Sequence, residues 1–452
     1  MGHTIAALNR STTVDWRSQG RWTMLSQQDN ELLCHVGPGT PMGDLLRRYW
    51  HPVLLSEELP QPDCPPVRVK IMHEELVAFR DTNGIVGLLD NHCPHRRASL
   101  FFGRNEECGL RCVYHGWKFD VNGNCVDMPS EPAESNFKDK VKITAYPTKE
   151  SAGMVWAYMG PKDLEPPFQN HVMHTVPADH VAVNKNRSYC NYLQGVEGHI
   201  DSAHIAMLHR NVGDDAPVSD DGTDKPGHLS QALFRYFTTK YRTPDLQAEE
   251  TPYGFKYAGI RPTDKGNQWV RITKHALPLT FFIPNDDKNT ASSCFITVPI
   301  DDDSFMRYAV RCRLDRPFSQ KEREAGAAAR AVNDADGNRV RTPSNDYLID
   351  REAQRTMSIT GIIGIPNQDF AVTESMGAVC DREREHLGTS DSAIIFLRRL
   401  LLKAVRGLQE GEDPPGLDAA MPFDMIRSED IVIAPDGDWR ELATEDQLLT
   451  RN

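Results

Sequence analysis

No run of apolar residues in this chain approaches the ~20 that would carry a helix across a bilayer, which argues against a helical membrane protein. A cationic excess is missing too: 51 Lys and Arg stand against 64 Asp and Glu, a net charge of −13. Nonspecific binding to nucleic acid or to an anionic membrane needs a basic face, so both are disfavoured. An anionic small molecule would need a local Arg or Lys. The first residues do not read as a secretory signal. Ten cysteines scattered over a long chain do not read as the disulfide framework of a small secreted domain. A reduced, cytoplasmic setting is expected. What is present is a globular composition, 39% apolar and 25% charged. At 452 residues the chain is too long for one ordinary core, so two domains are expected.

Residues 1–23 are rich in Ser, Thr and Arg without an apolar period, and read as a disordered leader or an upstream in-frame extension rather than a targeting arm. A helical pattern runs over 24–51 and is expected to pack on the larger domain. From 52 to 160, short alternating runs are broken by turn signals, Asn83-Gly84 and Asn122-Gly123 among them, which marks a small all-β domain. Residues 161–169 form a Pro-rich linker at the start of a second domain, 161–452. That domain mixes types: a strand-like piece before a helix near 191–209, antiparallel strands at 252–261, 268–276, 279–283, 293–299 and 305–313, and an amphipathic helix over 392–411. The fold class is α+β, an all-β domain followed by an antiparallel sheet flanked by helices.

The all-β part holds "NHCPHRRASLFFGRNEECGLRCVYHGW", three cysteines and three histidines in 27 residues. Cys93-Pro-His95 and Cys112-x2-His115 are two tight Cys-His pairs. A structural zinc site could use four such ligands, but zinc fingers usually pair Cys with Cys and His with His. One Cys and one His per loop suits a Rieske 2Fe–2S cluster, with thiolates of Cys93 and Cys112 on one iron and imidazoles of His95 and His115 on the other. Gly116 would let backbone approach the cluster closely. Cys108 has no partner in the pattern.

A second group lies in "NYLQGVEGHIDSAHIAMLHR". Two imidazoles and a carboxylate make the facial triad of non-haem Fe(II) oxygenases, and His204 and His209 are the candidates. Their spacing is awkward. At ~100° per residue, positions five apart diverge by ~140° on a regular helix, so a shared metal requires a break or bulge between them. From spacing alone, two ordinary solvent or core histidines remain open.

The motifs C-P-H-R and C-x-Y-H-G-W-x-F, with Glu197, Asp201, His204 and His209 in the order Glu-x3-Asp-x2-His-x4-His, resemble the oxygenase subunits of Rieske non-haem iron aromatic-ring-hydroxylating oxygenases. "LLCHVGPGTPMGDLLRRYWHPV" and "QGVEGHIDSAHIAMLH" resemble their phthalate-dioxygenase-like branch. The resemblance implies a helix-grip catalytic domain and mononuclear iron on His204, His209 and Asp369 of "IPNQDFAVTESMG", with Glu374 the rival carboxylate. Asp201 would link His204 to the Rieske His115 of a neighbouring subunit, and Glu197, Asn367 and Gln368 would stand behind the ligands. It further implies O2 as co-substrate, an NADH-dependent reductase carrying FMN and a 2Fe–2S centre, and a homotrimer or stacked hexamer acting in aromatic catabolism. The product would be a cis-dihydrodiol of an aromatic carboxylate such as phthalate or a substituted benzoate. Monooxygenation or O-demethylation of a methoxylated acid is the alternative, and a Rieske electron carrier without catalytic iron is the alternative of another class. For a substrate carboxylate, Arg271 is the candidate, sharing a strand face with Thr273 and His275; Phe281 and Phe282 are candidates for an apolar wall.

Overall fold

Two short helices come first, each started by a hydroxyl that accepts from its own first turn. In α1 (Gln27–Cys34) the Ser26 side chain accepts from the Asp29 N–H, and in α2 (Pro41–Arg47) the Thr40 side chain accepts from the Gly43 N–H, with Pro at the first position. The computed structural model describes residues 25–132, 134–214, 231–284, 292–324, 332–334 and 339–442. The expected leader lies outside them, as do residues 325–331 and 335–338.

The chain then turns to β structure at Trp50, two residues earlier than the sequence suggests. The strands are β1 (Trp50–Leu55), β2 (Val67–Ile71), β3 (Glu74–Arg80), β4 (Val86–Asp90), β5 (Arg104–Glu106), β6 (Gly109–Arg111), β7 (Lys118–Phe119), β8 (Cys125–Asp127), β9 (Ala145–Tyr146), β10 (Thr148–Ser151) and β11 (Met154–Tyr158). They form three antiparallel sheets ordered β1-β11-β10, β2-β3-β4-β9 and β5-β6-β7-β8. The hairpins β3–β4 and β7–β8 turn at Gly84 and Gly123, both at positive φ. Val77, Phe79, Leu89, Leu110, Phe119 and Trp117 form the small core between the last two sheets. Each fully buried side chain of this size contributes roughly 1.5–3 kcal/mol.

After the linker come β12 (Val181–Ser188), α3 (Tyr192–Ile200), α4 (Ile205–Leu208), α5 (Gln231–Lys240), β13 (Asp245–Thr251), β14 (Gly254–Pro262), β15 (Gln268–Ala276), β16 (Thr280–Phe282), β17 (Ser292–Asp301), β18 (Ser304–Cys312), α6 (Arg351–Thr356), α7 (Ile365–Ser375), α8 (Ser392–Gln409) and β19 (Glu429–Ile433). One antiparallel sheet runs β12-β18-β17-β16-β15-β14-β13, with β19 beside β15. The segments β13, β19 and α5 carry no signal that the sequence reading recognised. Helix α8 buries Leu397, Leu401 and Val405 against the sheet and the N-terminal helices. The β-rich part docks on the β17–β18 hairpin: the Met72 and His73 N–H groups bond Pro299 and Ile300 carbonyls at 2.9 Å, and Lys70 pairs with Asp301 at 2.6 Å.

Candidate metal centres

The two Cys-His loops have the same backbone design. The Cys93 N–H bonds the Ala98 carbonyl at 2.9 Å and the Arg97 N–H returns to the Cys93 carbonyl at 2.8 Å; the Cys112 N–H bonds Trp117 at 2.8 Å and the Gly116 N–H returns to Cys112 at 2.9 Å. The fourth residue after each cysteine is left-handed, Arg97 at φ 61 and Gly116 at φ 81. A Cβ on Gly116 would also stand 2.5 Å from Pro129. Cys93 and Cys112 are buried while His95 is exposed and His115 half-buried. The imidazole rings lie 4.3 Å apart, and His95 stacks on Trp117 at 4.5 Å. Burial, with Cys112 beside it, pushes the Cys93 thiol up to about 11. Burial and the His95 and Arg96 charges hold His115 below its ordinary value, so its ring is neutral. A thiol pair inside and an imidazole pair outside fits the two unlike ends of a Rieske cluster, whose binding would displace the thiol protons. Cys108 lies apart, accepting from the Asn83 amide at 3.2 Å.

The second centre forms where the expected single helix is interrupted. Helix α3 ends at Ile200, Asp201 is its C-cap with ψ 115, and the one-turn α4 has His204 as N-cap and His209 as C-cap. The larger break therefore lies before His204, at Asp201–Ala203. His209, at φ −98 and ψ 7, has already left regular helix. Freed carbonyls are satisfied from β14: the Tyr257 hydroxyl donates to Ile200 at 2.5 Å and Arg261 to Ser202 at 3.1 Å. A β-bridge between Asn211 and Ser358 ties the segment after His209 to that before α7.

Candidate ligand atoms of His204, His209 and Asp369 then lie within 4.8 Å of one another. Nε2 of His209 is 3.2 Å and Nε2 of His204 3.9 Å from Asp369 Oδ1. Each Nδ1 faces an acceptor: Asp201 Oδ2 at 3.4 Å for His204, and Gln368 Oε1 at 2.8 Å for His209. The Gln368 amide nitrogen donates to the Ile362 carbonyl at 2.9 Å, which fixes its oxygen toward His209. With protons kept on Nδ1, both Nε2 lone pairs face the cluster, as metal ligation needs. Burial pushes Asp369 up, but His209, His204 and Arg307 outweigh it and hold the carboxyl below its ordinary value. Three ligands on one side, with open space on the other, suit Fe(II).

The other sequence candidates divide. Arg271 and Thr273 line the cavity beside the cluster. The Arg271 guanidinium is already engaged, with the Pro284 carbonyl at 2.7 Å and Asp430 at 3.4 Å. Phe281 and Phe282 do not line the cavity. They are fully buried, packed on His275 and His171 respectively, because the register Phe281↔His275 sets them in the core. Glu197 does not stand behind the ligands: it is bound by Arg382 at 2.9 Å and Arg398 at 2.6 Å. Asn367 turns back to the Ile363 carbonyl at 2.8 Å, and its neighbour Gln368 meets the ligand instead. Glu374 is occupied by Arg339 and by the Tyr347 hydroxyl at 2.6 Å. His199, outside the motif, lines the cavity and is held neutral by burial. Tyr257 and Arg307 were missed. The signal for Tyr257 was β14 alternation with Arg261, and that for Arg307 a charge at an inward strand position.

The cavity measures about 990 Å³, with Phe234, Phe295, Phe305 and Phe370 among its walls. An electron-storing cluster site and an oxygen-facing iron site on separate parts of one chain are the division of labour of a Rieske-type terminal oxygenase. Comparison with known proteins agrees. Residues 49–147 match the Rieske [2Fe-2S] domain family and 157–451 the family described as LigXa C-terminal domain like. The chain is 42% identical to the phthalate 4,5-dioxygenase oxygenase subunit of Pseudomonas putida, covering 92% of this chain and 94% of that protein. It is 38% identical to the 3-chlorobenzoate-3,4-dioxygenase oxygenase subunit of Comamonas testosteroni, covering 94% and 99%. The structure of dicamba monooxygenase bound to dicamba shares the fold, with a TM-score of 0.53 at 17% identity over 81% of this chain and 99% of that one. The chain belongs to the Rieske non-haem iron oxygenases, as an oxygenase subunit of the phthalate dioxygenase-like branch.

Proposed function

We propose that this subunit oxygenates an aromatic carboxylate, giving a cis-dihydrodiol, with electrons from a separate NADH-dependent flavin and 2Fe–2S reductase. The carrying observation is the cavity: aromatic walls and two buried arginines, Arg271 and Arg307, face the three candidate ligands. When bound, the Rieske cluster supplies electrons singly and the mononuclear iron supplies O2 activation. On this reading the chain's own part is as follows. Cys93, Cys112, His95 and His115 hold the cluster; His204, His209 and Asp369 hold the iron. Asp201 and Gln368 keep a proton on each Nδ1. Phe295 and Phe305 keep water from the ring.

The same reading assigns a head-to-tail oligomer. Among the described residues no hydrogen bond or ion pair joins the Cys93–Trp117 loops to the second cluster. Exposed apolar side chains lie at both sites instead: Tyr114 against His115 at the first, Met357 and Ile363 on the cavity wall at the second. A closed ring of heterologous contacts would cover both, setting His115 of the partner subunit against Asp201. The test is NADH and O2 consumption with a reductase, against phthalate, chlorobenzoates and methoxybenzoates, with product stereochemistry. A cis-dihydrodiol matched to O2 uptake is expected. Formaldehyde from the methoxy acids alone would make it a demethylase. Reduction of the cluster with no iron beyond the cluster's own would leave only an electron carrier.

A further inference from the structure

Arg307 occupies an inward position on β18, in register between Thr297 of β17 and Asn186 of β12. It is 3% exposed, yet it lines the cavity that holds His204, His209 and Asp369. The faces of Phe295 and Phe370 lie 5.1 and 4.5 Å from its guanidinium carbon. Among the described residues it donates no hydrogen bond and forms no ion pair, and its Nε is buried without a partner. The other buried arginines nearby are engaged: Arg261 by the Ser202 and Tyr241 carbonyls, Arg271 by Pro284, Arg339 by Glu374, Arg382 and Arg398 by Glu197.

A guanidinium keeps its charge at any working pH, and an unpaired buried charge is strongly unfavourable. The Phe295 and Phe370 rings beside it offer its N–H groups no strong acceptor, whereas a carboxylate entering the cavity could accept from two of them at once. The nearby Asp369 offsets Arg307 only while its own charge is free. A divalent ion on Asp369 and two neutral imidazoles leaves net positive charge there, so an anion beside Arg307 becomes more favourable still. We infer that Arg307 binds the carboxylate of an aromatic acid in this cavity, in preference to the already engaged Arg271. The inference rests on the aromatic-acid reading given above.

Isothermal titration of the anaerobic, iron-loaded enzyme with phthalate, 3-chlorobenzoate and the neutral probe benzamide tests it, alongside iron counts. Wild type is expected to bind the acids more tightly than benzamide. Arg307→Gln should weaken both acids by about 10- to 100-fold, the scale of a charge-assisted bidentate contact, leaving benzamide and the iron count unchanged. Arg271→Gln should do less. Arg307→Lys, which keeps charge without the planar fork, should fall between wild type and Gln. Unchanged acid binding in Arg307→Gln, or a larger loss in Arg271→Gln, overturns the assignment. If Arg307→Gln loses iron, Arg307→Lys decides: iron lost there too makes Arg307 a prop of the metal site and overturns it, whereas iron kept with weakened acids upholds it. No acid preference in wild type is a separate result, and overturns the aromatic-acid reading together with the inference.

Discussion

A neutral imidazole carries one lone pair, and which nitrogen holds it depends on what the other nitrogen donates to. Gln368 makes that choice for His209 at 2.8 Å. Gln368→Leu should therefore weaken the mononuclear iron about 10- to 100-fold in a chelator titration, while leaving the Rieske absorption intact. Asp369→Ala should remove that iron outright, again with the Rieske spectrum unchanged; loss of the Rieske signal instead would reassign the ligand. Glu374 cannot step in, since Arg339 and Tyr347 already bind it. At the other centre, His115→Cys should retain a cluster but drop its potential toward the plant-type ferredoxin range of roughly −400 mV. An unmoved potential, read by spectroelectrochemistry, would remove His115 from the ligand set.

Among elements, α3 does the positioning. Its C-terminal end must stop in one place for His204 and His209 to reach a common point, and its middle is clamped through Glu197 to Arg382 and Arg398. Burial pushes the Glu197 carboxyl up, but the two arginines outweigh it and hold it below its ordinary value of 4.5. A carboxyl with a lower pKa folded than unfolded stabilises fully above the unfolded value, and that contribution fades as pH falls through the folded one. Acid should accordingly loosen α3 below about pH 4.5. Glu197→Ala leaves two buried guanidinium groups uncompensated and should cost about 3–5 kcal/mol, read as a fall in the thermal midpoint of the catalytic part. That penalty should shrink toward low pH. A variant as stable as wild type at neutral pH would show that the clamp does not hold α3.

On the scale of the whole molecule, electrons must cross from one centre to the other. Asp201 sits at the C-cap of α3, half-buried, accepting from the Ala203 N–H at 2.7 Å and facing His204. Asp201→Asn keeps shape but removes charge. Both metal sites should stay filled and the reductase should still reduce the cluster, while stopped-flow reoxidation by O2 with substrate slows severely. A mixed oligomer offers a second check. Chains carrying His115→Cys and chains carrying Asp369→Ala should be inactive apart and regain activity when co-assembled, because an intact cluster then faces an intact iron site. Full activity in a demonstrated monomer would show that electrons take another route.

The candidate Cys-His ligands were legible in the chain because they reside in side-chain type and short spacing, whereas Asp369 came only with the resemblance. Cys93, His95, Cys112 and His115 are paired within two tight turns, and the two hairpins at Gly84 and Gly123 follow from local turn preferences. The five-residue spacing of His204 and His209 called for a break between them, but the one-turn α4 lies between them and the larger break falls before His204. Tertiary structure alone decided where the break falls, since Tyr257 and Arg261 from a distant strand accept the task of satisfying its carbonyls. It alone put Gln368 rather than Asn367 behind His209 and spent Glu197 on two arginines. Alternation along a strand tells which residues share a face, not what covers that face. Phe281 and Phe282 thus went to the core, while Phe295, Phe305 and Arg307 reached the cavity. Spacing along the chain is a local property, whereas burial and partnership depend on contacts between segments hundreds of residues apart.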